Sequence, residues 1–242
     1  MTHIAYVNDS SETECTTRLT ADEVENLLRS VESPVMRRFL AGVRESVYPF
    51  LAKEPFAFCM SENPDQLSQW RAYSERGAGF SVGFDTACFQ NGTVSINRII
   101  YDEGTQRAVI KDLFEALGGF VRNLEVPTKD EEAVVKFLAI WGGMEIGKWF
   151  SSFKDPAFTE EAEWRIMRLA GEDQIARELD FVIRGNDLVP YLTYEFGAKA
   201  QTKSPISKVV LGPTMDRHLE KTSLTALFLR SGYPIPEIVR SS

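Results

Sequence analysis

The sequence is poor in the residues that most often bind metals or act in acid–base catalysis. Histidine occurs only twice, as His3 and His218, so imidazole chemistry and histidine-based metal sites have few candidates. The three cysteines, Cys15, Cys59 and Cys88, are odd in number and lack the short spacing of zinc ligands. We therefore expect no metal, and we expect free thiols in a reducing compartment such as the cytoplasm.

Long apolar runs and an excess of basic charge are also missing. No stretch approaches the roughly 18 apolar residues that a membrane span needs, so no membrane partner is expected. The formal net charge of -8 and the isoelectric point near 5.0 argue against an extended duplex nucleic acid as partner, although a small basic groove is compatible with them. Aromatic residues are abundant instead, with 16 Phe and 4 Trp, which indicates an aromatic-rich core.

Residues 56–85 carry the clearest local signals in the chain. An apolar run ends at Ser61, a residue suited to an N-cap or a turn, and Pro64 follows near the first helical position. Gly77 fits the left-handed stop after a helix. Apolar residues then alternate with small or polar ones from Phe80 to Asp85, which predicts a strand with one face in the core.

The remaining pattern predicts helices in the middle of the chain and strands on both sides. A short first strand runs into a turn at 8–11, and capping boxes at Thr20–Glu23 and Thr128–Glu131 precede helical spacing. Further strands are predicted at 94–100, 163–169, 179–183, 189–196, 206–211 and 235–239. The sequence thus predicts one α+β domain over 1–242. It has a central, mostly antiparallel sheet, whole or split in two, and a helical insertion at about 105–150.

The acidic segment from Glu160 to Arg165 is the first place where chemistry is plausible. Glu161 and Glu163 stand two apart, so on a strand both carboxylates would point to one face, together with Arg165. One interpretation is an exposed charged strand edge with a single ion pair. The other is a carboxylate pair in a cleft that holds a sugar hydroxyl and stabilises an oxocarbenium-like transition state. Trp164 would anchor the strand in the core.

The turn from Ser61 to Pro64 is the second such place. Its residues favour turns for local reasons, so a plain capping turn explains them. Alternatively, Ser61 and Asn63 lie where a strand end meets a helix N-terminus, and free backbone N–H groups there would favour a phosphate or pyrophosphate.

Trp70 and Tyr73 follow one turn apart on the predicted helix. Such pairs are most often core, and the alternative is a stacking surface for an adenine or nicotinamide ring. Arg71, beside them, would pair with a phosphate or with Asp85.

Several pieces of the chain together resemble the bacterial domain of unknown function 2971 family. They are Ile4–Glu12, Cys59–Asp65 with Trp70 and Tyr73, Gly79–Asp85, Phe153-Lys154, Glu161–Arg165, Pro190-Tyr191 and Val209–Pro213. Relatives begin with an additional strand and helix before the Asn-Asp motif and often continue past the last residue of this chain. The resemblance therefore implies that the N-terminal strand and helix are missing here.

More distantly, the chain resembles ADP-ribosyltransferase-like toxins. These carry a strand-plus-helix segment like Phe56 to Tyr73 around NAD, and arginine-modifying members have a Glu-x-Glu pair that Glu161 and Glu163 match. The resemblance implies that Glu163 holds the ribose and Glu161 assists the acceptor. Ser61, Asn63, Trp70, Arg71 and Tyr73 would bind NAD, a substrate of the small-nucleotide class.

Two other functions remain open at this point. One is a non-catalytic interaction module of a defence or toxin-associated system, indicated by the acidic surface and the absence of a nucleophile or metal signature. The other is a metal-dependent nuclease or hydrolase, if Asp85 joined Glu161 and Glu163. The enzymatic hypothesis requires the acidic segment and the turn before the tryptophan helix to lie side by side around a shared pocket.

Overall fold

The computed structural model describes residues 1–6, 11–51, 56–89, 94–122, 130–150, 152–168, 177–196 and 204–242. Its helices are α1 (Ser11–Ser30), α2 (Pro34–Leu51), α3 (Leu67–Tyr73), α4 (Glu103–Arg122), α5 (Glu131–Phe150) and α6 (Arg217–Arg230). Its strands are β1 (Thr2–His3), β2 (Phe56–Ser61), β3 (Phe80–Phe84), β4 (Ser95–Arg98), β5 (Glu163–Arg168), β6 (Leu179–Arg184), β7 (Asp187–Leu192), β8 (Ile206–Leu211) and β9 (Glu237–Arg240).

The strands form two sheets. The larger has six strands in the order β4-β5-β2-β1-β7-β6, and every neighbouring pair in it is antiparallel. The smaller has the order β3-β8-β9, in which β8 and β9 run parallel. The predicted α+β fold with a mostly antiparallel sheet, split in two, is confirmed. Whether the chain is a single domain stays a prediction.

The helical layer is built around α2 and α5, and the predicted helical insertion is present as α4 and α5. Phe39, Val43 and Ile146 are almost fully buried where these helices meet. A Cβ on Gly142 would lie 3.3 Å from Val43 Cγ2 and 3.2 Å from Leu117 Cδ1. Gly142 therefore lies where α5 packs closely against α2 and α4.

The N-terminal helix differs from the prediction. Thr20 is not an N-cap, because α1 begins at Ser11 and continues without a break through Thr20 to Ser30. Thr20 is 3% exposed, and Leu19 and Val24 beside it belong to the core. Burial of these apolar side chains outweighs the local capping preference of threonine. The predicted turn at 8–11 and the capping box at 128–131 lie largely outside the described residues.

The outer face of α5 is more apolar than a solvent-facing helix usually is. Val135, Leu138 and Ile146 are buried as the spacing predicts, but Trp141 and Met144 are about 40% exposed. Phe137 and Ile140 extend this exposed stripe, and Phe120 of α4 stands beside it. The helix is apolar around most of its circumference, so periodicity alone could not select its buried side. Among the described residues, no helix is long and apolar enough to cross a membrane.

Candidate functional site

Strands β2 and β5 bring the two predicted sites together. Ser61 at the end of β2 lies opposite Glu163 at the start of β5, and Cys59 lies opposite Arg165. The Ser61 hydroxyl donates to the carbonyl of Glu161 at 2.8 Å, across 100 residues of sequence. The turn before α3 and the acidic segment are therefore direct neighbours, which is one of the two conditions of the enzymatic hypothesis. The shared pocket between them stays a prediction.

Glu163 is the centre of a buried ion cluster. Its side chain is only 6% exposed, and Arg165 beside it is 1% exposed. Arg165 Nε donates to Glu163 Oε1 at 2.6 Å and its Nη2 donates to Oε2 at 3.1 Å. Lys154 Nζ donates to the same Oε2 at 3.0 Å. The predicted ion pair is present, but it lies inside the protein and not on an exposed strand edge.

Lys154 joins the second carboxylate to this cluster. Its Nζ lies 2.6 Å from Glu161 Oε2. The same Nζ lies 5.1 Å from the centroid of the Phe158 ring. Glu161 is the more accessible carboxylate, with 24% of its side chain exposed. Two cations and two carboxylates thus balance each other in formal charge, and the cluster opens towards solvent on the Glu161 side.

The two glutamates do not share a strand face in the way their spacing predicts. Glu161 ends a 3-10 helix, Pro156–Glu161, and β5 begins only at Glu163. Between them Ala162 has a left-handed backbone with φ 44°. This turn changes the direction of the chain, so the carboxylates meet at Lys154 because the backbone bends and not because residues alternate along a strand.

The cations keep Glu163 ionised. Burial by itself would raise the pKa of Glu163, but the hydrogen bonds and positive charge of Arg165, helped by the Cys59 thiol and Lys154, hold that pKa below its usual value. Burial, followed by the charge of Glu163, raises the pKa of the Cys59 thiol strongly. Cys59 therefore remains a protonated hydrogen-bond donor and is not a nucleophile.

Acidification is expected to remove the stabilisation that Glu163 provides. Because its pKa in the folded protein lies below 4.5, its contribution is complete above about pH 4.5 and disappears as the pH falls through the lower folded-state value. Carbon-13 NMR of the side-chain carboxyl groups would report this titration directly. A Glu163 carboxyl that titrates at or above about pH 4.5 would contradict the arrangement of cations described here.

Ser61 and Asn63 are occupied by local contacts. The Ser61 hydroxyl accepts the Asn63 N–H at 3.0 Å in addition to holding Glu161, so it stabilises the turn. Asn63 is exposed, and its Nδ2 donates to Gln66 Oε1 at 3.1 Å. Gln66, and not Ser61, occupies the N-cap position of α3.

Trp70 and Tyr73 have different environments although they lie one turn apart. Trp70 is 7% exposed and its indole N–H donates to Asp65 Oδ1 at 2.8 Å, so it is a core residue. Tyr73 is 60% exposed, and Arg71 is also exposed. The two rings therefore cannot stack on one ligand together. The Tyr73 ring alone is accessible to a ligand.

Asp85 takes part in a turn at the end of β3. Its carboxylate accepts the N–H of Ala87 at 3.0 Å. Among the described residues, no group of three or more His, Cys, Asp or Glu side chains could hold a metal ion.

Sequence reasoning missed two members of the site. Lys154 is a cationic partner of both glutamates, and the Tyr101 hydroxyl accepts the N–H of Glu163 at 2.9 Å. Tyr101 carries no motif or periodicity that marks it. The one signal for Lys154 is its place in a segment that carries the family resemblance.

A cavity of about 260 Å³ lies elsewhere, in the helical layer between α2, α4 and α5. Apolar side chains line it together with the polar residues Ser33, Arg122 and Glu131. None of the predicted site residues lines it, so it is separate from the ion cluster.

Comparison with known proteins adds a family similarity. A sequence model for a family described as "Protein of unknown function (DUF2971)" matches residues 69–166. The match covers less than half of the 242 residues and runs from α3 into β5, so it includes Lys154, Glu161, Glu163 and Arg165. No curated protein and no solved structure matches the chain. The chain is thus similar to a family whose description assigns no activity.

Proposed function

We propose that the protein is an ADP-ribosyltransferase-like enzyme that cleaves NAD, with Glu161 and Glu163 as its catalytic carboxylates. The observation that carries this proposal is the pairing of Ser61 with Glu163 across β2 and β5, with Glu161 held beside them by the Ser61 hydroxyl. A strand-to-helix turn and two carboxylates of unequal exposure are thereby gathered in one place.

In the proposed reaction, the bond between ribose C1′ and the nicotinamide nitrogen breaks, and nicotinamide leaves with the bonding electron pair. The positive charge that develops on the ribose needs a carboxylate beside it. Glu163 is suited to this because its lowered pKa keeps it anionic. The acceptor then adds to C1′, and the carboxylate of Glu161 takes the proton that the acceptor loses.

Lys154 imposes a condition on this reaction. Its Nζ lies beside Glu163 Oε2, at the place where a ribose hydroxyl would donate. The hydroxyl can bind there only if Lys154 moves, and Lys154 can keep its shorter contact with Glu161 when it does so. We therefore propose that substrate binding shifts Lys154 from Glu163 towards Glu161.

The predicted cofactor-binding residues divide into two groups under this proposal. Asn63, Arg71 and Tyr73 are exposed and can reach a nucleotide directly, Arg71 through its phosphates and Tyr73 through a ring. Ser61 and Trp70 act through the backbone, because Ser61 fixes the turn and Trp70 fixes α3 from the core side.

Release of nicotinamide from NAD tests the proposal. The parent protein should release nicotinamide, and Glu163→Gln should lower the rate per folded molecule by at least about 100-fold, because it removes charge that the transition state requires. Glu161→Gln should reduce transfer to an acceptor more than it reduces hydrolysis of NAD. The folded fraction of each variant is measured by circular dichroism.

Glu160→Gln is the matched control, since Glu160 is an exposed neighbour whose carboxylate binds Ser68 at 3.0 Å outside the ion cluster. It should keep the parent rate. A parent protein that releases no nicotinamide, or a Glu163→Gln variant with parental turnover, would end the enzymatic proposal.

The second candidate function is a non-catalytic interaction module. The observation in its favour is that both oxygens of Glu163 are already engaged by buried cations, which is what a purely structural carboxylate would show. The exposed apolar stripe on α5 points in the same direction, because large exposed apolar surfaces are common at contact sites. Complete inactivity towards NAD, together with a well-folded parent protein, would favour this function.

A further inference from the structure

Strand β6 is the last strand of the six-stranded sheet as the described residues define it. Among the described strands it pairs only with β7. Its outer residues are apolar and accessible, with Phe181 51%, Val182 42% and Ile183 77% exposed. Soluble proteins usually protect such an edge, because its free backbone groups can pair with a further strand.

The backbone groups of Phe181 and Ile183 point away from β7. Leu192 of β7 exchanges hydrogen bonds with the first residue of the chain, on the far side from β6. Backbone direction alternates along a strand, so Tyr191 faces β6 and bonds with its partner Asp180. Phe181 and Ile183 therefore direct their N–H and C=O groups outwards, and the Phe181 N–H donates to the Asp180 carboxylate at 2.8 Å.

The sequence of this edge is complementary to itself when reversed. From Asp180 to Arg184 it reads acidic, aromatic, Val, aliphatic, basic. If two copies run antiparallel with Val182 of each on a two-fold axis, Asp180 lies opposite Arg184 of the second copy. In the same register Phe181 lies opposite Ile183, with their outward backbone groups in hydrogen-bonding positions.

We propose that two copies of this chain associate edge to edge through β6, in that register, and join their six-stranded sheets into one continuous sheet. The proposal goes beyond the proposed enzymatic function and does not depend on it. A two-fold axis requires each contact to occur twice, and the self-complementary order of this strand meets that requirement.

Charge selects this register over its neighbours. Backbone pairing allows shifts only in steps that keep Phe181 and Ile183 in hydrogen-bonding positions. The nearest such shifts place either Asp180 or Arg184 opposite Val182 of the second copy, so an ion pair is lost on both sides of the axis. Only the register centred on Val182 satisfies both charges and both apolar side chains at once.

The expected dimer is weak and depends on concentration, because one strand pair is at the small end of protein interfaces. Sedimentation equilibrium of the whole chain from about 1 µM to about 500 µM should show a mass that rises from 27.3 kDa towards twice that value. Arg184→Glu, or Asp180→Lys, should lower the association constant by about 10-fold or more, since each places like charges in contact twice.

The double variant Asp180→Lys with Arg184→Glu should regain the parental association, because the charges are exchanged and remain complementary. Lys221→Glu is the matched control: it makes the same charge change as Arg184→Glu at an exposed position of α6, and it should leave association unchanged. Val182→Lys, which puts two ammonium groups on the axis, gives a second disruptive variant if Asp180→Lys fails to fold.

Amide hydrogen exchange supplies an independent reading. Exchange at Ile183 should slow as protein concentration rises, because its amide becomes bonded to the second copy. The Phe181 amide replaces its bond to the Asp180 carboxylate with one to the second copy, so its exchange should change less. A chain that stays at 27.3 kDa at every concentration overturns the proposal. The proposal is also overturned if Arg184→Glu, Asp180→Lys and Val182→Lys all leave the dimer intact. A folded double variant that does not regain the parental association constant overturns it as well.

Discussion

Replacing Glu163 with Gln is expected to lower the free energy of unfolding by about 3–5 kcal/mol, because breaking a buried ion cluster leaves its remaining charges unpaired. Arg165 would lose a carboxylate that it binds through two nitrogens, at a position where the guanidinium is 1% exposed. Lys154 would lose its bond to Glu163 and keep the one to Glu161. Urea unfolding near neutral pH, followed by circular dichroism, measures the loss.

Glu160→Gln is the control for this measurement also. It removes the same charge three residues away, at an exposed side chain that accepts a hydrogen bond from Ser68, so it should leave the unfolding midpoint nearly unchanged. Equal midpoints for the two variants would show that the cluster contributes little to stability. In that case the folded fraction of Glu163→Gln would equal that of the parent protein, and its rate of NAD cleavage would need no correction for unfolded protein.

Replacing Gly212 with Ala is expected to cost about 3 kcal/mol or more, because a forced overlap between backbone segments cannot be relieved by a side-chain rotation. The added Cβ would lie 2.2 Å from the carbonyl oxygen of Gly77 and 3.1 Å from that of Gly79. The Gly212 N–H also donates to the Gly79 carbonyl at 2.9 Å, so separating the two segments would break that bond. Thermal and urea unfolding both report the change.

Gly232→Ala provides the comparison. Gly232 has a left-handed φ of 72° but no atom within 4 Å of an added Cβ, so its substitution should cost only the conformational strain, on the order of 1 kcal/mol. If the two alanine variants unfolded together, the contact between the Gly77–Gly79 segment and the end of β8 would not be as tight as the geometry indicates.

The pattern of the sequence was sufficient for most of the fold because local rules and tertiary packing agree there. The alternation from Phe80 to Asp85 predicts β3, and the apolar run before Ser61 predicts β2. The predicted core face of β3 is wrong in part, because Phe80 is 43% exposed and Val82 is 40% exposed. Where the two conflict, packing decides. Thr20 has the sequence context of an N-cap, yet its neighbours Leu19 and Val24 are fully buried in the core, so α1 runs through it.

The candidate site was only partly predictable. The proximity of Ser61 and Glu163 could be expected from a family resemblance and from no local signal, since strand pairing over this distance has no sequence signature. The geometry of the glutamates was unpredictable because it depends on a left-handed backbone at Ala162, a residue type that rarely adopts it. The role of Lys154 was unpredictable because its two carboxylate partners are brought together by the bend of the chain at Ala162.

The order of strands in the larger sheet has a consequence for synthesis of the chain. β2 leaves the ribosome early, but its partner β5 is synthesised only after α4 and α5. The helix α2 likewise emerges well before α5, against which it packs in the folded protein. The pairing of β2 with β5 cannot be completed before about residue 168 has emerged, so we expect late co-translational completion of the larger sheet and a slow final step. Throughout that interval β2 lacks its partner β5, and β1 can pair with only Phe56 and Ala57, so we expect chaperone binding at Phe56–Ser61 to protect the nascent chain from aggregation.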